Sequence, residues 1–342
     1  MAKMETKNVS QEEWNKIVSQ FEDLSLTQVW EYAEARAKLG PWNVVRHIFW
    51  HGDKIIGAAQ GVVRTAPFFK KGLVWINRAP LWRKIGENGN LSLMKEMLLE
   101  LRRYWVDERK MYLRIAPPLL ENKENQIILE NAKFIPCNSS FKWCSAIIDL
   151  ANSEEYLYRG LRRKWRQYFR RLEEQNVSCE LSFSSQDLSD LLLDYEALAI
   201  EKGFDTSSTH PNFVKELHKL IKDNKGMVIF IARKNELVLG RFLVAAYGNT
   251  CTAYIIGRNL PGKELHINHF LYWEAIKAMR RFGYRWFDVG GADPNRTAPG
   301  VLHFKEGLGG IPYKFIGEFE AYCNELIIWL VKIAIKYKRK YL

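Results

Sequence analysis

A glycine-rich segment in the last quarter of the chain carries the most distinctive chemistry of the sequence. From Tyr284 to Glu320 it reads YRWFDVGGADPNRTAPGVLHFKEGLGGIPYKFIGEFE. We predict a short strand, the turn Gly290–Gly291, and a Pro/Gly/Asn loop that ends in a single lysine, Lys305. Glycines let backbone N–H groups approach a tetrahedral ligand, and one lysine can neutralise a developing oxyanion. The segment predicts a site for acyl transfer, although a solvated surface loop would show the same pattern.

Two carboxylates lie close to this turn. Asp288 ends the predicted strand, and Asp293 follows in the loop. Either could act as a general base, but an aspartate at a strand end is also ordinary turn chemistry. We therefore assign neither of them as an obligatory base.

Other catalytic classes have no support in the sequence. Seven histidines form no HExxH motif, and His266 and His269 lack nearby carboxylate or thiol partners, so we expect no metal site. GxSxG and GxxxxGK[ST] are absent, which argues against serine hydrolases and P-loop NTPases. Five cysteines without a CxxC pair predict no disulfide framework and fit a reducing cytoplasm. No cofactor is expected.

A basic helix predicted over residues 153–175 offers a surface to a polyanion. Its stretch RGLRRKWRQYFRR (159–171) carries seven cations with three aromatic side chains interleaved. Such cations bind phosphate backbones and such aromatics stack on unpaired bases, whereas the alternative is a solvated face packed through its aromatics. The net charge of +12 also favours polyanions, whether RNA, diphosphates or lipid headgroups. We assign polyanion binding to Arg162, Arg163, Arg166 and Arg170.

The composition and the termini set limits on location. The 342 residues, 47% of them hydrophobic and 26% charged, suit two folded domains. The start MAKMETKNVSQEEW has no apolar core of a secretory signal, and no apolar run approaches the ~20 residues of a membrane span. Residues 322–342 form an apolar face that becomes lysine-rich, which fits a peripheral membrane helix or a helix packed on the core. We expect a cytoplasmic protein, with contact at the inner membrane face left open.

Three matches in one order indicate an internal duplication. They pair IFWHGDKIIGAAQGVV with IFIARKNELVLGRFLVAA, LLELRRYWVDERKMYLRIAPP with AIKAMRRFGYRWFDVGGADP, and ILENAKFIP with FKEGLGGIP, at offsets of roughly 170 to 190 residues. Helices and strands alternate in both copies, which predicts two α/β modules, about 44–150 and 226–320, with mixed sheets flanked by helices. We place the first domain at 1–150, completed by 317–342, and the second at 151–316, including the basic helix.

Taken together, these segments resemble the FemABX aminoacyltransferases over nearly the whole chain. The strongest parts are FDVGGADPN, PGVLHFKEGLGG and YKFIGEFE; supporting parts are SLTQVWEYAEARAKLG, IIGAAQGVVR, LRRKWRQYFRRLEEQNV, TAYIIGRN and INHFLYWEAIKAMRRFGY. The resemblance implies two tandem acetyltransferase-type (GNAT) modules and a C-terminal helix. It also implies transfer of an amino acid from aminoacyl-tRNA to the stem peptide of a UDP-linked or lipid-linked peptidoglycan precursor. Such an activity serves cell wall biogenesis and cell shape.

The resemblance further implies roles for residues at the reacting centre. Lys305, together with Phe304, matches the lysine proposed to stabilise the transition state. Gly290 and Gly291 line the same predicted substrate site.

Three more residues are assigned to the acceptor by the same resemblance. Arg36 falls where the family often has a lysine that touches the acceptor's diphosphate. Tyr254 matches an aromatic residue of the acceptor cleft. The RxGF-like motif of the family reads Glu201–Phe204 here, so its arginine is absent and Lys202 is the substituting cation.

Two other functions remain open at this point. One is an acyl-CoA-dependent N-acyltransferase, because the GNAT module ordinarily uses that donor, although the Q/RxxGxG/A pyrophosphate loop is missing. The other is a non-catalytic adaptor that binds RNA or membrane through its basic surface.

Overall fold

The structure is a computed structural model that describes residues 2–65, 71–137, 142–206, 209–221 and 226–324. The predicted C-terminal helix falls outside these residues. In chain order the strands are β1 (Lys3–Thr6), β2 (Asn43–His51), β3 (Lys54–Thr65), β4 (Gly72–Asn77), β5 (Tyr112–Ala116), β6 (Ile135–Pro136), β7 (Cys144–Asp149), β8 (Ser178–Ser182), β9 (Met227–Lys234), β10 (Leu237–Tyr247), β11 (Thr250–Arg258), β12 (Trp286–Asp288), β13 (Ile311–Lys314) and β14 (Phe319–Ala321). The α-helices are α1 (Gln11–Val18), α2 (Trp30–Lys38), α3 (Leu91–Arg102), α4 (Lys123–Asn131), α5 (Glu154–Gly160), α6 (Arg163–Glu174), α7 (Ser185–Lys202), α8 (Pro211–Leu220), α9 (Leu260–Glu264), α10 (Ile267–Arg281) and α11 (Pro299–Glu306).

Two compact units divide these elements, and each contains one mixed sheet. The first comprises Met1–Trp143 together with the segment from Lys314 onward, and the second comprises Cys144–Tyr313. Within the described residues the first sheet has the order β1-β2-β3-β4-β5-β14-β6, and the second β8-β9-β10-β11-β12-β7-β13. The two orders match position by position. The predicted fold class, two α/β modules with mixed sheets flanked by helices, is confirmed.

The sheets depart from the predicted domain boundary by one strand. The strand before residue 150 is predicted to end the first domain, but β7 pairs with β12 in the second sheet. Its counterpart β14 follows the second module and pairs with β5 and β6 in the first sheet. The reason is burial, because Ile148 and Leu150 pack in the hydrophobic core of the second unit. The first unit therefore ends at Trp143 before it resumes at Lys314.

The long hairpin of each unit carries the same irregularity before a glycine. In β3 the register shifts at Ile56, one residue before Gly57, and in β10 it shifts at Leu239, one residue before Gly240. A Cβ on Gly57 would lie 2.7 Å from the carbonyl oxygen of Leu81, so a neighbouring backbone occupies the space of a side chain. A bulge followed by glycine permits such an approach. Its recurrence supports descent of both units from one module.

A buried polar network attaches helix α2 to the first sheet. The Gln28 side chain donates to the carbonyl of Gln60 at 2.9 Å and accepts from its backbone N–H at 2.7 Å. The Gln60 side-chain oxygen accepts from Arg46 at 2.9 Å, and Arg46 also pairs with Glu34 of α2 at 2.9 Å. A network whose members satisfy one another fixes a single arrangement. It therefore determines where α2 presents Arg36.

The basic segment forms two helices rather than the single predicted one. Helix α5 ends at Gly160, and Leu161 and Arg162 are extended, with ψ of 140° and 144°, before α6 begins. The backbone N–H of Arg162 then donates to the carbonyl of Gly307 at 2.9 Å. This break lets α6 turn one face into the core, where it buries Trp165, Phe169 and Leu172.

A fully buried histidine lies inside the first unit. The indole N–H of Trp105 donates to Nε2 of His47 at 2.9 Å, so Nδ1 carries the proton and donates to the Thr6 hydroxyl at 3.0 Å. Burial, and to a smaller extent the charge of Arg109, lower the pKa of His47 to about 3. The ring is therefore neutral in the folded protein at physiological pH.

His47 should make the first unit less stable as the solution is acidified. Because its folded pKa lies below the unfolded value, the unfolded chain gains the proton first, and stability is lost as pH falls below about 6.5. Between pH 8 and pH 5 the loss amounts to about 2 kcal/mol. Urea unfolding at both pH values should show this loss in the parent and in the exposed control His51→Gln, but not in His47→Gln. Other titrating groups, such as buried Asp23, are common to all three proteins. An equal pH dependence in all three would contradict the assignment.

Candidate functional site

Lys305 lies in the last turn of a helix, not in the predicted loop. Helix α11 begins with Pro299, whose fixed φ and missing N–H suit a first helical turn, and it ends before Gly307. The partly buried side chain of Lys305 extends back to the Gly-Gly turn. Its Nζ donates to the carbonyl oxygen of Gly291 at 2.8 Å. The helix therefore fixes the position of the ammonium relative to the turn.

Gly290 is required at this turn by conformation and by space. Its φ is +77°, a region that L side chains rarely adopt. A Cβ at this position would lie 2.7 Å from the carbonyl oxygen of Ala253 and 3.3 Å from Nζ of Lys305. A side chain here would collide with the Ala253 carbonyl and crowd the ammonium of Lys305.

Asp288 is the buried hydrogen-bond acceptor beneath the turn. Its Oδ1 accepts from the N–H of Gly290 at 2.8 Å and from the Ser145 hydroxyl, which also lies 2.9 Å from the Gly290 carbonyl. Its Oδ2 accepts from the Tyr313 hydroxyl at 2.5 Å. Asp293 instead accepts from a backbone N–H two residues on, the turn chemistry that the sequence suggests. The two aspartates therefore have different roles.

The electrostatics of the lysine combine two opposing effects. Burial lowers the pKa of Lys305 to about 8, and the negative charge of Asp288 acts in the opposite direction. The side chain is consequently an ammonium at neutral pH and loses its charge as pH rises through 8.

An aromatic cluster fixes α11 against α6 and α10. The ring centroid of Phe304 lies 4.5 Å from that of Trp165, 4.9 Å from His269 and 5.2 Å from Tyr272. The indole N–H of Trp165 donates to the Phe304 carbonyl at 3.1 Å. A Cβ on Gly307 would lie 2.3 Å from that indole nitrogen, so this glycine makes room for the contact. Phe304 thus orients the helix that carries Lys305.

The four arginines assigned to a polyanion have different surroundings. Arg162 donates to the His303 carbonyl at 3.1 Å and lies beside its ring. Arg166 donates to two main-chain carbonyls at the junction of α5 and α6, at 2.7 and 2.8 Å, and Arg170 to a tyrosine hydroxyl at 2.9 Å. Arg163 is exposed, and within the described part of the chain its side chain forms neither an ion pair nor a hydrogen bond. Arg163 is the member of this set most available to a ligand.

The three residues assigned to the acceptor lie on separate elements. Arg36 is partly buried in the last turn of α2, where it donates to the Tyr32 hydroxyl at 3.3 Å. Tyr254 is the extra residue of a β-bulge in β11, next to the Ala253 carbonyl that approaches Gly290. Lys202 is exposed at the end of α7 and pairs with its neighbour Glu201 at 3.2 Å.

The first unit carries different residues at the matching positions. Alignment on the shared Ile-Pro pair places Leu129, which is fully buried, at the position of Lys305. The register of the paired strands places Arg114, which forms an ion pair with Glu318, at the position of Asp288. The candidate site therefore belongs to the second unit.

Two residues of the site could not be recognised in the sequence. Ser145 lies on β7 and Tyr313 on β13, far along the chain from Asp288 and outside any motif. The only available signal was the apolar strand pattern around each of them, which does not say which sheet a strand joins.

Comparison with known proteins supports the same architecture. Residues 159–306 match the family described as acetyltransferase (GNAT) domain. No match is found among curated proteins. The crystal structure of FemX superposes with a TM-score of 0.81 at 15% identity, over 96% of this chain and 99% of FemX. L-PGS from Bacillus licheniformis gives 0.51 at 13% identity over 92% and 91% of the two chains. A tandem GNAT protein from the clavulanic acid biosynthesis pathway superposes with a TM-score of 0.51 at 10% identity, over 94% of this chain and 98% of that protein.

These similarities define the fold and the broad class. The chain has the tandem GNAT fold found in FemX, so the predicted resemblance to FemABX proteins is confirmed at the level of the fold. The GNAT match in the second unit supports an acyltransferase. Identities of 10–15% say nothing about substrates.

Two further observations concern the parts of the chain that the structure describes. No helix there is both long and apolar enough to cross a membrane. Nor do three or more His, Cys, Asp or Glu side chains come together as a group that could hold a metal ion.

Substituting Gly290 should lower the free energy of unfolding, whereas substituting Gly300 should leave it nearly unchanged. Gly290→Ala combines an unfavourable φ with the clash against Ala253, which we expect to cost about 1–3 kcal/mol. Gly300, near the start of α11, has open space around its Cβ position, so Gly300→Ala should stay within about 0.5 kcal/mol of the parent. Urea denaturation of the two variants measures the difference. Equal stabilities would show that the turn tolerates a side chain.

Proposed function

We propose that the protein is an aminoacyltransferase that moves an amino acid from aminoacyl-tRNA to the stem-peptide amine of a peptidoglycan precursor. The observation that carries this proposal is the ammonium of Lys305, held by a helix 2.8 Å from the Gly291 carbonyl. It lies in the unit that matches the GNAT domain. The donor and the acceptor are those implied by the family motifs of the sequence, and the FemX-like fold is compatible with them.

In the proposed reaction a neutral primary amine attacks the ester carbon of the aminoacyl-tRNA. A C–N bond forms and the carbonyl oxygen becomes an oxyanion. When the oxyanion collapses, the C–O bond to the ribose breaks, and the ribose oxygen leaves as a hydroxyl with the proton that the attacking nitrogen loses. Lys305 gives one of its three N–H hydrogens to Gly291, so two remain for the oxyanion. One such donor typically lowers the activation barrier by ~3 kcal/mol. The rest of the site must then hold the amine and the ester in line for attack.

The donor would bind along α6. Arg163 contributes an exposed cation. Arg162 contacts His303 of α11 through its side chain and Gly307, the residue after α11, through its backbone. A polyanion on this helix would therefore lie next to the helix that carries Lys305. No metal or cofactor takes part in the proposed chemistry.

The acceptor is assigned to Arg36, Tyr254 and Lys202 on the family resemblance. A cation such as Arg36 or Lys202 is suited to a phosphate of the precursor, and Tyr254 is suited to its organic part. A lipid-linked precursor would bring this cytoplasmic enzyme to the inner face of the membrane, whereas a UDP-linked one would not.

A second candidate, an acyl-CoA-dependent N-acyltransferase, is favoured by the GNAT match. A pyrophosphate would need free N–H groups in the segment that opens α10. That segment instead contains α9, where the N–H of Gly262 donates to the Asn259 side chain at 2.9 Å and that of Lys263 to its carbonyl at 3.0 Å. Incubation with acetyl-CoA or with charged tRNA and muropeptide precursors, followed by product masses, separates the two donors.

Removal of the lysine should slow the chemical step. Lys305→Ala and Lys305→Met should lower the single-turnover rate by about 10²- to 10³-fold, because the oxyanion loses its cationic donor. Lys219→Met, on the exposed side of α8, is the control and should keep the parental rate. Lys305 variants within about threefold of the parent would remove this residue from the chemistry.

Substituting Arg163 should weaken binding of the donor without weakening the fold. Arg163→Gln removes one phosphate contact, so the slope of log Kd against log salt should fall by roughly 0.7–0.9. Arg166→Gln is the comparison, because loss of its two carbonyl contacts should also lower the melting temperature. An unchanged salt slope in Arg163→Gln would place the tRNA elsewhere.

A further inference from the structure

We infer that Asp288 is a positioning residue that fixes the Gly290–Gly291 turn and supplies the counter-charge that keeps Lys305 an ammonium. The inference deepens the proposed function and rests on it for its catalytic meaning. Its physical content, a coupling between one carboxylate and one lysine, can be measured without any substrate.

The surroundings of Asp288 explain why a counter-charge is needed. The residue is only 7% exposed, and its three hydrogen-bond donors, the hydroxyls of Ser145 and Tyr313 and the N–H of Gly290, are all neutral. No ammonium or guanidinium donates to it within the described residues. A buried carboxylate with neutral partners is costly unless a cation lies near.

One turn of backbone connects this carboxylate to the lysine. Oδ1 of Asp288 holds the N–H of Gly290, and the carbonyl of the next residue, Gly291, accepts from Nζ of Lys305 at 2.8 Å. The carboxylate therefore orients the peptide units that receive the ammonium. Its charge also raises the pKa of Lys305, opposing the effect of burial.

The other titratable groups that face Asp288 stay neutral. Cys251 on β11 and Tyr272 on α10 are buried, and burial followed by the charge of Asp288 raises the pKa of both. Tyr313 on β13 donates its hydroxyl hydrogen to the carboxylate. Lys305 on α11 is therefore the group whose charge Asp288 controls near neutral pH.

The duplicated unit provides an internal comparison. Where the second unit has Asp288 and Lys305, the first has Arg114 and the buried Leu129. The guanidinium of Arg114 is satisfied by Glu318 within its own sheet, so no lysine is required. The carboxylate and the lysine are present together in one copy and absent together in the other, as expected if they act as a pair.

The test is the protonation of Lys305 in Asp288→Asn, a variant that keeps the shape of the side chain and removes its charge. The pH dependence of labelling by dinitrofluorobenzene, read from the Lys305 peptide by mass spectrometry, should have its inflection near pH 8 in the parent. In Asp288→Asn it should move down by about one pH unit, since the variant removes the negative charge that favours the ammonium. The high-pH limb of the single-turnover rate should move with it.

Control variants separate charge from structure. Asp293→Asn removes a carboxylate from the same loop and should leave the inflection in place. Ser145→Ala and Tyr313→Phe remove a donor but keep the charge, so their inflection should stay at or above that of the parent. If Asp288→Asn does not fold, Ser145→Ala and Tyr313→Phe decide the matter. A labelling inflection at lower pH than in the parent, in either variant, overturns the inference.

The outcomes also distinguish this inference from the proposed function. An unmoved labelling inflection in folded Asp288→Asn overturns the coupling, whatever the enzyme does. A shifted inflection combined with full activity of Lys305→Ala would support the coupling and overturn the catalytic role of the lysine.

Discussion

A single buried carboxylate organises the candidate site. Asp288 ends the interior strand β12. Its oxygens accept hydrogen bonds from Ser145 on the neighbouring strand, from Tyr313 on the edge strand and from the backbone of the glycine turn. A carbonyl of this glycine turn accepts a hydrogen bond from Lys305 of α11. Removing the carboxylate would take the shared acceptor away from two hydroxyl groups and one backbone N–H inside the unit. The geometry around Lys305 is therefore a property of the whole second sheet, and not of one loop.

The two units show how one scaffold supports two local chemistries. At equivalent strand positions, the first unit has Arg114 in a partly buried ion pair with Glu318, and the second has Asp288 with neutral donors. An internal ion pair is locally complete, whereas a carboxylate with neutral partners leaves its charge available to act on a neighbour. This difference explains why the reactive features collect in one unit although the sheet orders are the same.

Much of the architecture could be predicted from the sequence because repeats and alternation are local signals. The matched hairpins, with Gly57 and Gly240 in equivalent places, correctly indicated two modules. The location of β7 and β14 could not be predicted, because an apolar strand pattern does not identify its partner strand. The start of α11 was missed because Pro299 and Gly300 suggested a loop, although proline is also frequent at a first helical turn.

The same limits apply to the site. Lys305 and the two glycines could be singled out by residue type, and the structure places them in contact. The importance of Asp288 could not be judged from the sequence. An aspartate that only caps a turn and a buried aspartate that accepts hydrogen bonds from distant strands have the same local sequence pattern. Burial and the donors from distant strands make the distinction, and both are tertiary properties.

The placement of β14 has a consequence for synthesis on the ribosome. The first sheet needs a strand from residues 319–321, between β5 and β6, so it cannot close until the second unit and these residues have been translated. Until then β5 presents an unpaired edge, a feature that invites aggregation or pairing with another chain. A nascent chain of this protein should therefore depend on chaperones longer than its modular architecture suggests, and a fragment that stops at Trp143 would lack part of its own sheet.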